Sequence, residues 1–165
     1  MTPTKDRQPV RDLKKICHFR YLPPDTIFSP DKVTSVGVVP FTEDGEIVVA
    51  HLDRGWDIMG GHVQEGEMDF IETAKREAME EGCVTIKEIS LALVIESDYF
   101  GSSPHELTYM LCYHAMVDEL LPFESSHESF ARKVVGIEEF LKGYRGNKEL
   151  VENMIFSCID ERGPF

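Results

Sequence analysis

The chain has 165 residues, 42% of them hydrophobic and 28% charged, which suits one globular domain long enough to bury a core. Its formal charge of −13 repels polyanions and argues against duplex nucleic acid as a partner of the bare protein. The longest apolar runs, such as 91–95, are a handful of residues where a bilayer span needs roughly 18–20, so a membrane partner is excluded too.

Residues 1–32 read as an irregular N-terminal extension. They mix Lys5, Arg7, Arg11, Lys14 and Lys15 with Asp6 and Asp12 and are punctuated by Pro23, Pro24 and Pro30. They hold no apolar segment of the kind a secretory signal carries. Cys17, Cys83, Cys112 and Cys158 lie far apart with no CxxC pair. That spacing fits neither a zinc site nor a compact disulfide framework, and it predicts buried free thiols in a reducing cytoplasm.

Val33–Phe41 is rich in β-branched residues and predicts a strand. Asp44-Gly45 makes a hairpin turn, since glycine accepts positive φ, and 47–51 returns as its partner. Further strands are predicted over 91–99 and 107–117, with a loop at 101–104 between them. A short helix is predicted over 137–142. Asn147 can cap another, which carries Leu150, Val151, Met154, Ile155, Cys158 and Ile159 on one face. Strands alternating loosely with helices indicate an α/β layered domain.

The chemistry concentrates in Gly60-Gly61-His62-Val63-Gln64-Glu65-Gly66-Glu67 and the helix that follows. Asp69 with Glu72 three residues on resembles a capping box, so the helix begins near Phe70, and Gly82 is its natural terminator. At about 100° per residue, with Glu77 set at zero, Glu80 falls near −60° and Glu81 near +40°. On the same scale Phe70, Ala74, Ala78 and Ile71 fall at about +20°, +60°, +100° and +120°. Three carboxylates therefore sit against the face that should pack on the core, flanked by Arg76, which can pair with Glu80 four residues on. A solvated helix face is the ordinary fate of a Glu run. Here like charges at i, i+4 repel, and burial beside apolar groups raises that cost. A divalent cation relieves it, and Mg²⁺ prefers such carboxylate oxygens. The Gly60-Gly61 turn, one short loop earlier, allows close approach and a carbonyl ligand.

These residues resemble the Nudix (MutT-like) box, G-x5-E-x7-R-E-U-x-E-E-x-G-U, where U is a bulky aliphatic. Gly61 and Glu67 match the opening, and Arg76, Glu77, Glu80 and Glu81 match the core, with Ala78 at the aliphatic position. Trp56 to Val63 also looks like the strand leading into the box. Three departures stand out. Eight residues, not seven, separate Glu67 from Arg76, Cys83 occupies the usual glycine position beside Gly82, and Ala78 is small.

The resemblance implies an α/β/α sandwich with a mixed β-sheet, a single domain over 33–165, and hydrolysis of a phosphoanhydride in a nucleotide-like diphosphate. It implies Mg²⁺ or Mn²⁺ held by Glu77, Glu80, Glu81 and the Gly60 carbonyl. Glu80, Arg76, Glu67 and a general base would serve catalysis, with Arg76 orienting the glutamates and Glu67 fixing the loop against the helix. By the same resemblance the base is a box glutamate or an acid from a distant loop, here Glu106, Glu124 or Glu128, with Glu128 preferred because it precedes a segment resembling the family's late strand and helix. His62 could contact phosphate. Tyr99 and Phe100 could line a pocket, and Trp56 could stack a base, although partial burial in the core is the commoner fate of such a Trp. The substrate is expected to be a nucleoside diphosphate linked to another group. Alternatives are sanitation of oxidised or non-standard triphosphates, or a non-catalytic regulator, which the intact acids argue against. An allylic diphosphate isomerase lacks its cysteine and glutamate constellation here. Residues 1–32 either cover the pocket or mediate a homodimer.

Overall fold

The computed structural model describes residues 19–98, 106–126 and 128–160. In chain order the elements are β1 (Phe19–Leu22), β2 (Val33–Phe41), β3 (Ile47–Leu52), β4 (Gly55–Asp57), β5 (Met59–His62), α1 (Phe70–Gly82), β6 (Val84–Ser97), β7 (Thr108–Leu120), β8 (Ala131–Val135), α2 (Ile137–Gly143) and α3 (Lys148–Asp160). The sheet runs β1-β6-β7-β2-β3-β4, with β5 also on β2 and β8 also on β3. The β2–β7 pair is parallel and the others are antiparallel, so the sheet is mixed.

The β2–β3 turn forms as its sequence demands. Gly45 takes φ +84°, and its amide donates to the Thr42 carbonyl while the Thr42 amide donates to Glu46. The two strands are in register only at Phe41 and Ile47. Beyond that point they part, β2 taking β5 and β3 taking β4 and β8.

Alternation along the strands splits the apolar residues between two faces. Val39, Phe41, Ile47 and Val49 face Phe140 of α2 and Val151, Met154, Ile155 and Cys158 of α3. Val36, Val38, Val48 and Ala50 face Ala74 and Ala78 of α1. Helices thus cover both sides of the sheet, an α/β/α arrangement.

Four details differ from the sequence expectations. Phe19–Leu22, read as irregular, adds an edge strand to β6, and Arg20 reaches the buried Glu96 at 2.7 Å. Strand β6 starts at Val84, seven residues before the predicted 91, because the chain leaves α1 directly into a long bulged pairing with β7. Gly60 and Gly61 lie in β5 and make no turn, and the turn falls later, where Gly66 has φ +91°. Finally, Gly82 remains helical, and Cys83 takes the left-handed position at φ 54°, ψ 45°. Gly82 is instead a close-packed position: a Cβ there would lie 2.5 Å from Met59 Sδ, so Met59 would have to shift.

Cys112 and Cys158 are buried free thiols and Cys83 is a half-buried one; Cys17 lies outside the described residues. Tyr99, Phe100 and the loop at 101–104 also lie outside them. No helix among the described residues is long and apolar enough to cross a membrane.

Candidate active site

Helix α1 starts where Asp69 Oδ1 accepts the Ile71 amide at 3.0 Å, the N-cap bond expected of Asp. Glu72 turns toward Lys75 instead of completing the capping box. Small residues on the inner face, Ala74 and Ala78, let the helix lie close over β5. Glycine on the strand completes that approach. A Cβ at Gly61 would sit 2.5 Å from Glu77 Oε2, and one at Gly60 would sit 2.3 Å from the Val36 carbonyl. Glu77 and Glu81 are consequently buried, at 6% and 4% exposure, while the Glu80 side chain is about half exposed.

One guanidinium organises the acids. Arg76 donates Nε and Nη2 to the two oxygens of Glu67 at 2.8 and 3.1 Å, a bidentate pair. Its Nη1 reaches Glu77 at 2.9 Å and Glu80 at 3.1 Å, and Nη2 also meets the His62 carbonyl. The extra residue between Glu67 and Arg76 therefore does not separate them. It is absorbed at the solvent side, where Met68 is 82% exposed. Glu67 further accepts the Gln64 amide at 2.7 Å. Its hydrogen bonds with Arg76 and that amide hold its carboxyl down at about 2.

The two buried acids shift the other way. Burial pushes Glu81 up to about 7, helped by the like charges of Glu77 and Glu128 and opposed by the Gly60 amide and Arg54. Burial likewise raises Glu77, against the pull of Arg76. Carboxylates in this condition favour a nearby cation.

A segment after β7 closes over the end of α1. Ser129 donates its hydroxyl to the Glu81 carbonyl at 2.6 Å, and Arg132 donates to the carbonyls of Gly82, Cys83 and Leu121. These bonds satisfy the helix's last carbonyls. The Ser126 hydroxyl accepts the amides of Glu128 and Ser129. Glu128 and Glu81 come to line one cleft of about 760 Å³ together with Gly60, Gly61 and His62, a size suited to a nucleotide.

Residues 31–154 match the family model of the NUDIX domain. The chain belongs to the Nudix hydrolase family. Membership gives the general chemistry, that of a Nudix pyrophosphohydrolase, and such enzymes are typically dependent on divalent metal. No protein of curated function matches the chain in sequence. Among solved structures it is similar to the Bacillus subtilis pyrophosphohydrolase BsRppH, at TM-score 0.71 and 19% identity over 88% of this chain and 91% of that one. It also resembles the NUDIX domain of Shewanella oneidensis NrtR, solved with ADP ribose, at TM-score 0.60 and 15% identity over 76% and 90%. A C. elegans Ap4A hydrolase aligns at TM-score 0.53 and 20% identity over 73% and 93%. These likenesses show the Nudix fold.

The Nudix acids fit a hard divalent ion by their chemistry, since every side-chain donor is a carboxylate oxygen and two of the three are buried. Among the described residues no three His, Cys, Asp or Glu side chains already converge as a metal cage. Arg76 takes oxygens of Glu77 and Glu80, and the Gly60 amide takes Glu81 Oε1 at 3.0 Å.

Other expected residues fall differently. Glu106 pairs with Lys32 at 3.7 Å, and the Glu124 amide donates to Cys83 Sγ at 3.3 Å; neither lines the Nudix cleft. Trp56 lies outside the cleft lining, packed on the core below α2 and α3, with His51 at its edge and Lys133 Nζ 4.4 Å over its ring. Sequence alone does not reveal a group that the fold assembles from distant elements. Buried Asp57 accepts Arg54 Nε at 2.5 Å and the Ile58 amide at 2.7 Å. Tyr144, from the α2–α3 connection, lies near the same carboxylate, and burial followed by that negative charge raises its pKa. No local pattern marks these residues. The one available signal was Arg54-x-x-Asp57 just before the box.

Proposed function

We propose that this Nudix protein hydrolyses a phosphoanhydride bond in a nucleoside diphosphate linked to a further group, using Mg²⁺ or Mn²⁺ held by Glu77, Glu80, Glu81 and the Gly60 carbonyl. The observation that carries the reading is the pair of buried carboxylates, Glu77 and Glu81, raised by desolvation beside a nucleotide-sized cleft. The ion supplies positive charge against the diphosphate and increases the acidity of water there.

The chain's own residues do the rest. Glu128 accepts the proton of the attacking water, whose oxygen bonds to phosphorus as the bridging oxygen leaves. The products are a nucleoside monophosphate, or another phosphate ester, and the second phosphorylated fragment. Arg76 holds Glu77 and Glu80 in position, Glu67 holds Arg76, and His62 flanks the phosphates. A cytoplasmic setting belongs to the same proposal, because Cys112 and Cys158 stand as free thiols.

Phosphate release from nucleoside triphosphates, nucleotide sugars, ADP-ribose and dinucleoside polyphosphates tests it, with Mg²⁺ or Mn²⁺ and added phosphatase. Wild type should turn over one class, and Glu81→Gln should lose about 100-fold or more of that rate. A folded, metal-loaded wild type that turns over nothing would instead make the protein a nucleotide-binding module.

A further inference from the structure

The cleft has a second chemical character besides its acids. Arg54, in the β3–β4 turn, and Arg145, in the α2–α3 connection, both line it and both are exposed. In a chain of net charge −13 these are the two arginines on a cleft that Asp53, Asp57, Glu81 and Glu128 also line, and they are the cationic side chains there that can attract an anion.

The Arg54 side chain is built into place. Its Nε is fixed on Asp57, whose other oxygen takes the Ile58 amide. That leaves the two terminal nitrogens of Arg54 without a hydrogen-bond partner among the described residues. A guanidinium held by Nε with its fork free is arranged for a planar anion such as phosphate. Tyr144, the residue before Arg145, lies within electrostatic reach of buried Asp57, and both line the cleft, so the two arginine-bearing segments come together there. Arg145 itself has no ion-pair partner among the described residues. The charge of Arg54 is also felt at Glu81, so this wall lies within electrostatic reach of the acids.

We infer that Arg54 and Arg145 form a second anion subsite, which holds a phosphate of the substrate beyond the diphosphate at the glutamates. The group linked to the nucleoside diphosphate is then itself phosphorylated, and the substrate class is nucleotides with three or more phosphates in a chain. This rests on the hydrolase reading above. Asp57 acts as a positioning residue, since its carboxylate holds Arg54 Nε.

Arg54→Gln and Arg145→Gln, assayed singly at low salt, test the subsite. On a nucleoside triphosphate and a dinucleoside tetraphosphate each variant should raise KM about tenfold, the worth of one charge-assisted hydrogen bond, with kcat nearly unchanged. Added salt should narrow the difference. ADP-ribose, which carries no phosphate beyond the scissile pair, should show no such KM rise. Binding of inorganic tripolyphosphate with Mg²⁺, followed by calorimetry, should weaken in parallel. If Arg54→Gln unfolds, Arg145→Gln decides alone, because its side chain is exposed. Equal KM rises on ADP-ribose, unchanged KM on the polyphosphates, or turnover of ADP-ribose alone would overturn the inference while leaving the hydrolase intact. Tripolyphosphate binding that the variants weaken, without turnover of any substrate, would keep the subsite and remove the hydrolase.

Discussion

Helices α1 and α3 have the same length, thirteen residues, and lie on opposite faces of one sheet. Their inner surfaces have little in common. α3 presents Val151, Met154, Ile155 and Cys158 to the core. α1 buries Thr73, Ala74, Glu77, Ala78, Glu81 and Gly82, which are small or ionisable. Apolar burial holds α3, with Asn147 Oδ1 accepting the Leu150 amide at its start. Polar ties hold α1: the Asp69 cap, the Arg76 network, and Ser129 with Arg132 at its end. The contrast separates two jobs. One helix gives the core a face of large apolar side chains. The other packs there with Ala74, Ala78 and the partly buried Phe70 and Ile71, sets carboxylates within reach of a cleft and adds hydrogen bonds that hold them.

Paired substitutions should break that contrast cleanly. Ile155→Ala empties fully buried space against β-strand side chains and should cost about 2–5 kcal/mol of stability. The rate per folded molecule should change little. Glu81→Gln should do the reverse in the absence of divalent ions at neutral pH, because it removes a charge buried beside Glu77 and Glu128. Its urea midpoint without divalent ions should match or exceed wild type, while its hydrolysis with Mg²⁺ falls by about 100-fold or more. Equal loss of stability in both variants would mean that α1 also works as core, and the division of labour would fall.

A smaller effect should sharpen the polar side of the comparison. The Glu67 carboxyl is held at about 2 by Arg76 and the Gln64 amide, against an ordinary value of 4.5. An acid whose folded pKa is depressed adds stability that is fully present above its unfolded value and fades as pH falls toward the folded one. Glu67→Gln should therefore be less stable than wild type near neutrality, and the gap should close as pH drops from 4.5 toward 2. Denaturant midpoints of both proteins across that range provide the measurement. A gap independent of pH would assign the loss to packing.

The two helices also differ in how far sequence could foresee them. Both were legible as elements, since Asp69 and Asn147 cap them and their apolar positions recur at helical spacing. Spacing also put Arg76, Glu77, Glu80 and Glu81 on one arc, because an i, i+4 relation is local. Contacts made by the fold were not legible. Ser129 meets the Glu81 carbonyl across 48 positions and Arg132 meets Gly82 across 50. Arg54 in the β3–β4 turn, Asp57 at the end of β4 and Tyr144 in the α2–α3 connection come together only in the fold. Phe19–Leu22 escaped notice because an edge strand needs little alternation once β6 offers its backbone and Glu96 offers Arg20 a partner. Gly60 and Gly61 are legible as close-approach residues, but their neighbours, Val36 and Glu77, decide that they approach from a strand.

The smallest expected effect concerns the residue where α1 ends. Cys83 is the sole described non-glycine residue at positive φ, in a conformation that costs an L side chain about 1–2 kcal/mol. Cys83→Gly removes that strain but makes the unfolded chain more flexible. It also deletes the sulfur that accepts the Glu124 amide at 3.3 Å. The net change should be a gain of about 0.5 kcal/mol, read as a rise of roughly 1–2 °C in melting temperature, with hydrolysis unaltered. A fall in melting temperature together with a lower kcat would give the thiol a different meaning. The sulfur would then be anchoring the 121–130 segment, which carries Glu128 to the cleft, and the strained backbone would be retained because α1 and that segment must meet at this residue.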